Sequence, residues 1–559
     1  MPSLVGSEMC IRDRKKLALV STAALLAVGV VAIPSQAHAV APQCGPANAS
    51  TGYVSTCGGV TSEGAPYAML VPANYNGTVF IYSHGYRYNI DVPPLGYKVS
   101  TILATPQPGP LAGNTDQSAI KYLLSKGYAV TGSAFAPEGW NAASAVKTDV
   151  ELIGLFKAQF PKTTKVIAWG ESLGGFITEA LAEQNPNLVN AAGLMCPALG
   201  TVEAELSGAG DFLWGMKTFF DNKIQGHNYA AGAAGVAQAY SDLAEIAATA
   251  KSLQASLVTN QWPATSGAAG TALAAIPPRS ALLLVGLMAG IPTKSAHFDG
   301  TTGPGKKTDA AYTSFALAAS PALAVLENGA QAAALAVIAT LDLEQQTGGA
   351  FYDNSKTDYA ARVSDDLVSY NAALSGTTAI NGMLAFLNPA NPAAPRWTET
   401  NGAHAKLQAL MQNTGNIKVP TIALAATADP IVPAGNTQWL ADKYGPQLAA
   451  AQDAAMKSYT KASGYTAAKQ LFLPIWNNPP ASYTKFNADG TPNTTVPAAT
   501  GTNHCNFTTK QYINFAGMLV DAAATGDVSP KAAVRQAARK SGAIVDLTYQ
   551  APLLPFYRK

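Results

Sequence analysis

The chain has 559 residues, only 13% of them charged, and a net charge of +2. That length predicts two to four domains, or one large domain carrying insertions. The near-neutral charge and the lack of any long Lys/Arg run exclude a basic nucleic-acid surface, and an apolar share of 48% excludes disorder over most of the chain.

The N-terminus reads as an export signal. "RDRKK" (12–16) is a basic stretch and "LALVSTAALLAVGVVAI" (17–33) an apolar one. Pro34 then precedes Ala37-His38-Ala39, a small-residue cleavage pattern. Residues 1–39 are therefore expected to leave as a signal peptide, with a membrane anchor as the alternative. The opening "MPSLVGSEMCIRDR" resembles translated adapter sequence and carries no fold information. No later stretch reads as long and apolar enough to span a bilayer, so no further membrane span is expected. Four cysteines remain in an exported chain: Cys44, Cys57, Cys196 and Cys505. An even number suggests two disulfides, for which three pairings exist.

From 40 to 199 strands and helices alternate. "PYAMLV" and "TVFIYS" read as strands around the turn "PANYNG", and "DQSAIKYLLSKG" as a helix stopped by Gly127. "YAVTGSAF" is a strand, "SAVKTDVELIGLFKAQF" an amphipathic helix, "TKVIAWG" a strand, 176–184 a helix and "LVNAAGLMC" a strand. This alternation predicts an α/β class with a mainly parallel sheet and helices on both faces. From 200 to 415 the chain is alanine-rich and reads as helices joined by Gly/Pro loops, a large helical insertion. The sheet pattern resumes over 416–559 with "IKVPTIALAATADPIVP" and the helix "NTQWLADKYG". "SYTKFNADGTPNTTVPAAT" reads as a hairpin around Asp489-Gly490, "CNFTTKQYINFAGMLVDAAATG" as a helix, and the apolar end "LTYQAPLLPFYRK" as a strand or loop packed on the body.

The chemistry concentrates at "VIAWGESLGGFITEAL" (166–181). A bare G-x-S-x-G pattern arises by chance about 0.3 times in a chain of this length and composition, so its context decides. Ser172 falls where a strand turns directly into a helix. Gly170 and Gly174, two residues either side, leave room for a sharp, strained turn. The helix start adds free N–H groups and partial positive charge.

At this point the sequence resembles the α/β-hydrolase superfamily, in its secreted esterase- and lipase-like form with a helical cap. The resemblance covers the segments on either side of the insertion, not the insertion itself. It implies a nucleophilic Ser, an acid and a His in that chain order. Asp429 follows the strand "TIALAATA"; Asp489 is the alternative acid, though it reads better as turn chemistry. Of six histidines only His504 lies beyond Asp429, in the loop "ATGTNHCNFT". The resemblance thus implies Ser172 as nucleophile, His504 as base and Asp429 as its orienting acid. It also implies an oxyanion hole from "VFIYSHGYR": Tyr86 N–H, or alternatively Gly85 N–H, together with Leu173 N–H. His84 would brace that loop. In a sheet of this fold the end of the strand before Cys196 opens on the side of the catalytic loops, so Cys196–Cys505 and Cys44–Cys57 are the preferred pairs. The long one would contribute roughly 4–5 kcal/mol at most.

The expected activity is carboxylic-ester hydrolysis through an acyl-enzyme by a secreted enzyme, on a small or polymeric ester. Two alternatives stand beside it: an exported serine peptidase of aminopeptidase type, in which Glu171 would hold a substrate amine, and a non-catalytic surface-binding protein on the same scaffold. No metal-binding spacing occurs, "GPGKKT" (303–308) lacks phosphate-loop spacing, and no cofactor is implied. Trp140 is either a pocket wall or a packing residue. No sequence signal marks an oligomeric state.

Overall fold

A computed structural model describes residues 40–113, 115–268, 271–300, 319–400, 402–459, 465–483, 487 and 490–558. The expected leader, the "GPGKKT" segment and Asp489 lie outside the described residues.

The sheet has nine strands: β1 (Gln43–Cys44), β2 (Val54–Val60), β3 (Pro66–Pro72), β4 (Thr78–Ser83), β5 (Ala129–Ser133), β6 (Lys165–Glu171), β7 (Ala191–Met195), β8 (Thr421–Ala426) and β9 (Phe472–Asn477). Their spatial order is β1-β2-β3-β5-β4-β6-β7-β8-β9. The first three are joined antiparallel, and β3 meets β5 antiparallel; from β5 to β9 every pairing is parallel. The chain therefore has the α/β class expected from its alternating pattern.

Side-chain alternation along the central strands builds two cores. On β4 and β6, Val79, Ile81, Val166 and Ala168 face one layer, while Phe80, Tyr82, Ile167 and Trp169 face the other. Helices α1 (Ser118–Ser125), α2 (Ala142–Gln159) and α3 (Leu173–Gln184) follow β4, β5 and β6 in the chain. Leu152, Phe156, Phe176 and Ile177 of α2 and α3 join the first core. Ile120 and Leu123 of α1 join the second.

Between β7 and β8 the described residues form no strand. The main helices there are α4 (Val202–Phe219), α5 (Ala233–Thr259), α6 (Pro278–Ala289) and α7 (Ser320–Thr347), and α7 packs on the other three. Contrary to the sequence reading, α7 is long and apolar enough to cross a membrane, but 67% of that stretch is buried inside the fold. Its hydrophobicity is that of a central core helix. After β8 come α8 (Gly435–Lys457) and α9 (Thr509–Thr525), and Phe515 and Leu519 of α9 complete the second core.

Several sequence readings shift. The helix expected from 176 begins at Leu173, directly after Ser172. The helix expected to end near 445 runs on through Pro446 to Lys457. β9, "FLPIWN", was not expected as a strand; its Pro474 is tolerated because β9 closes the sheet at its edge. Of the hairpin expected at 482–500, Asp489 and several neighbours lie outside the described residues; the described part reverses direction, with Asn487 N–H donating to Thr491 O at 2.8 Å and Gly490 N–H to Asn487 O at 2.9 Å. The C-terminal tail ends in a short 3₁₀ turn, Pro555–Tyr557, with Leu554 buried.

Both disulfides have the expected pairing. Cys44 and Cys57 face each other across β1 and β2. Cys196–Cys505 joins points 309 residues apart.

Candidate active site

Ser172 occupies the junction of β6 and α3 with φ 58° and ψ −126°. A non-glycine residue rarely holds a positive φ, so the surroundings must enforce it. They do so by leaving no room for side chains nearby. A Cβ on Gly174 would stand 2.0 Å from the Ser83 carbonyl oxygen, and one on Gly170 2.2 Å from that of Gly174. A Cβ on Gly175 would meet that of Pro197 at 2.5 Å. The turn is also pinned by its backbone: Ser172 N–H donates to Met195 O at 3.0 Å, and Ala198 N–H donates to Ser172 O at 3.2 Å.

The loop after β4 passes beside this serine. A Cβ on Gly85 would lie 3.1 Å from the Ser172 Cβ and 3.7 Å from its Oγ. His84 packs against Phe135 with ring centroids 4.5 Å apart, and its Nδ1 lies 2.8 Å from the Gly85 carbonyl. The next residue, Tyr86, donates its hydroxyl to Asp342 Oδ2 at 2.9 Å. Asp342 also accepts from Asn89 Nδ2, Trp140 N–H and Gln346 Nε2. One carboxylate on α7 thus holds the loop carrying Tyr86 and the turn carrying Trp140. Burial raises its pKa, against the pull of those hydrogen bonds.

Asp429 lies just beyond β8 and is fully buried. Its Oδ1 accepts from the N–H groups of Ile431 and Val432, both at 2.9 Å. Its Oδ2 lies 2.9 Å from His504 Nδ1 and accepts from Cys505 N–H at 3.3 Å. The segments bearing the two residues run side by side, with Ala428 N–H donating to Gly501 O at 2.9 Å. Burial lowers the His504 pKa, but the charges of Asp429 and Glu171 outweigh it, and the net direction is upward from the ordinary imidazole value.

The Cys196–Cys505 bridge ties these pieces together. Cys505 follows His504, and Cys196 follows Met195, whose carbonyl holds the Ser172 N–H. Asp429, His504 and both sulfurs converge within 4.8 Å. The sulfurs are bonded to each other, so neither offers the thiolate a metal would need.

Glu171 does not have a free carboxylate for a substrate amine. Tyr82 donates to it at 2.6 Å and Tyr512 donates to its other oxygen. Burial raises its pKa, and these two phenols pull it back down. The other described histidines are engaged elsewhere: His227 stacks on Trp397, His297 pairs with Glu327 and His404 with Glu203.

Ser172, Leu173, Tyr86 and Trp140 line one cavity, closed over by α4, α6, α7, the 430–433 loop and the C-terminal tail. Trp140 is thus a pocket wall. Sequence reasoning missed two acidic residues of the helical segment, Asp342 and Glu205, the second also lining the cavity. Asp342 was visible as a carboxylate inside the apolar run "AVIATLDLEQQ"; Glu205, in the first turn of α4, carried no distinguishing signal.

A mainly parallel sheet flanked by helices, with a serine on a sharp strand-to-helix turn, is the α/β-hydrolase fold. No protein-family model matches the chain, and no curated protein matches it in sequence. Among solved structures it is similar to an esterase from Aspergillus oryzae, at 10% identity over 76% of this chain and 72% of that one, with a TM-score of 0.32. It is also similar to the rice cell wall degrading esterase LipA from Xanthomonas oryzae, at 11% identity over 87% and 99%, with a TM-score of 0.33. A third is feruloyl esterase B from Aspergillus oryzae, at 12% identity over 80% of each chain, with a TM-score of 0.30.

Proposed function

We propose that the chain is an exported serine hydrolase that cleaves carboxylic esters through an acyl-enzyme. The observation that carries this reading is the strained Ser172 turn beside a cavity, with a histidine hydrogen-bonded at 2.9 Å to a buried aspartate in the loop tied to that turn by a disulfide.

The steps follow from the groups present. His504 takes the Ser172 hydroxyl proton as the serine oxygen attacks the ester carbonyl. Asp429 holds the Nδ1–H, which leaves Nε2 as the acceptor for the serine proton, and stabilises the imidazolium that forms; Nε2 lies 3.4 Å from Cys505 Sγ, so the ring has to swing toward Ser172 for the transfer. The carbonyl oxygen becomes an oxyanion that the Leu173 and Tyr86 N–H groups receive, at the start of α3 and in the loop whose Gly85 passes close beside Ser172. His504 then returns its proton to the leaving alcohol. Water attacks the acyl-enzyme by the same route, and Ser172 is regenerated.

The segment 200–415 acts as a cap. Its helices supply most of the cavity wall, with Phe212, Met288 and Leu335 among the apolar side chains, which suits an acyl or other apolar group. The leader-like N-terminus and two disulfides support export.

The test is a panel of p-nitrophenyl acyl esters set against aminoacyl nitroanilides. The esters should be turned over, and Ser172→Ala should cost roughly 10⁴–10⁶ in kcat with the fold intact. Turnover of the anilides alone, or an active Ser172→Ala, rejects the assignment.

A further inference from the structure

His504 sits in a loop outside any helix or strand, between Asn503 at φ 61° and Cys505 at φ 49°. Neither neighbour is a glycine, so contacts from outside must hold this backbone. The sheet side supplies the Cys196–Cys505 bridge, the Cys505 N–H on Asp429 and the Ala428 N–H on Gly501 O. The 200–415 segment supplies the hold on Asn503 itself: Gln331 Nε2 donates to Asn503 Oδ1 at 2.9 Å. Farther back in the loop, Ala499 N–H donates to Ala296 O at 3.0 Å, again in that segment.

Gln331 belongs to α7, the helix whose Asp342 holds Tyr86 and Trp140. The two residues are about three turns apart, roughly 16 Å along the axis, and three whole turns bring the second back to nearly the same side of the helix. Between them Ala332, Leu335, Ala336 and Ala339 line the cavity over Ser172. One unbroken helix therefore touches the loop before the base at one end, the oxyanion loop at the other, and the cavity in between. Gln331 is not among the cavity-lining residues. Its bond reaches the chemistry only through Asn503, one peptide bond from His504. The His504 ring has to swing from Cys505 Sγ toward Ser172, and the place of its backbone sets how far. A displacement of about 1 Å at a reacting group costs up to ~100-fold in rate.

Resting on the ester-hydrolase reading above, we propose that Gln331 is a positioning residue for the base: through Asn503 it fixes the backbone from which the His504 ring swings. The helix that walls the cavity thereby sets the base as well as the oxyanion loop. Losing the Gln331 bond lets Asn503 leave its positive φ, and His504 moves with it, while the cavity wall is unchanged.

The experiment is a double-mutant cycle on the full chain, with p-nitrophenyl butyrate as substrate. Gln331→Met keeps the length and helix-forming character of the side chain and removes its amide. Asn503→Gly removes the other side chain and accepts a positive φ without strain. Each should lower kcat about five- to tenfold with KM within roughly twofold, and the double variant should fall no further than the slower single one. Gln331→Glu should keep kcat within about threefold of wild type, because the Asn503 amide can turn its NH₂ toward the carboxylate. If Gln331→Met does not fold, Asn503→Gly set against Gln331→Glu carries the test. A kcat within about twofold of wild type in Gln331→Met or Asn503→Gly, a double variant whose loss is the product of the two, a KM that moves as much as kcat, or a Gln331→Glu enzyme as slow as Asn503→Gly would overturn the inference. In each of those cases the wild-type chain still cleaves the ester. No cleavage of any ester by the wild-type chain instead overturns the function on which the inference rests.

Discussion

Cutting the Cys196–Cys505 bridge should damage catalysis more than binding, and more than cutting Cys44–Cys57 does. The bridge closes 309 residues, against 13 for the other. Chain-entropy reasoning applied to these loop lengths gives roughly 5–6 kcal/mol for the long loop, somewhat above the roughly 4–5 kcal/mol expected from the sequence, and about 3 kcal/mol for the short one. The long bridge also holds strained backbone. Cys196, Asn503 and Cys505 all have positive φ, at 40°, 61° and 49°, and non-glycine residues leave that region when released. The relaxing loop carries His504 and the Cys505 N–H that donates to Asp429. A shift of about 1 Å at a reacting group costs up to ~100-fold in rate. Cys505→Ser should therefore lower kcat by about 10–100-fold with KM within roughly threefold, alongside a loss of several kcal/mol in urea denaturation. The Cys44→Ser/Cys57→Ser pair should lose stability and keep its kcat. Non-reducing peptide mapping checks the pairing first. Free thiols at Cys196 and Cys505, or a Cys505→Ser enzyme with kcat within twofold of wild type, would refute the reasoning.

Three further outcomes are expected. Asp342→Asn should lower kcat by about tenfold or more with a smaller change in KM, measured on one ester. Oδ2 accepts from both Tyr86 and Trp140, and Oδ1 from Asn89 and Gln346, so an amide NH₂ meets two donors whichever way it turns; an unchanged kcat would detach the loop's position from α7. The pH profile of kcat/KM should rise as His504 loses its proton, with its inflection above the ordinary imidazole value, because Asp429 and Glu171 favour the protonated ring; an inflection below that value, or none, contradicts the assignment of the base. Glu179, buried with both oxygens unpartnered, has its pKa pushed up to about 8 by burial and then by Glu183. The folded state keeps this proton while the unfolded chain releases it near the ordinary carboxylate value, so its cost grows as pH rises between the two and is full above about 8. Glu179→Gln should thus gain roughly 2–4 kcal/mol over wild type at pH 9 relative to pH 5 in urea denaturation; an equal difference at both pH values would remove the charge from the explanation.

The parts of the fold legible in the sequence were those with local causes. Short apolar, β-branched runs bounded by turn residues exposed β4 and β6, and the glycines around Ser172 exposed the turn because a strained backbone leaves a compositional mark. The order of Asp429 and His504 could be read because one histidine remained after the rest were placed. β9 stayed hidden because Pro474 argues against a strand unless the strand is known to lie at an edge, which is a property of the whole sheet. The extent of α8 was hidden by Pro446, which the helix accommodates. Asp342 stood out as a carboxylate in an apolar run, but its role, and Glu205 altogether, were out of reach for a different reason. Their roles depend on where α7 and α4 settle over the sheet, and that packing is set by apolar contacts with no period of their own in an alanine-rich stretch.

The most direct test of the central claim is whether Ser172 is chemically activated. The intact protein should react with a fluorophosphonate probe in a one-to-one ratio, and tryptic mapping should place the adduct on Ser172. Labelling should vanish in Ser172→Ala and slow by orders of magnitude in His504→Ala, because an unassisted serine hydroxyl is a weak nucleophile. A folded wild-type protein that does not label, or one whose adduct maps to another residue, would contradict the account.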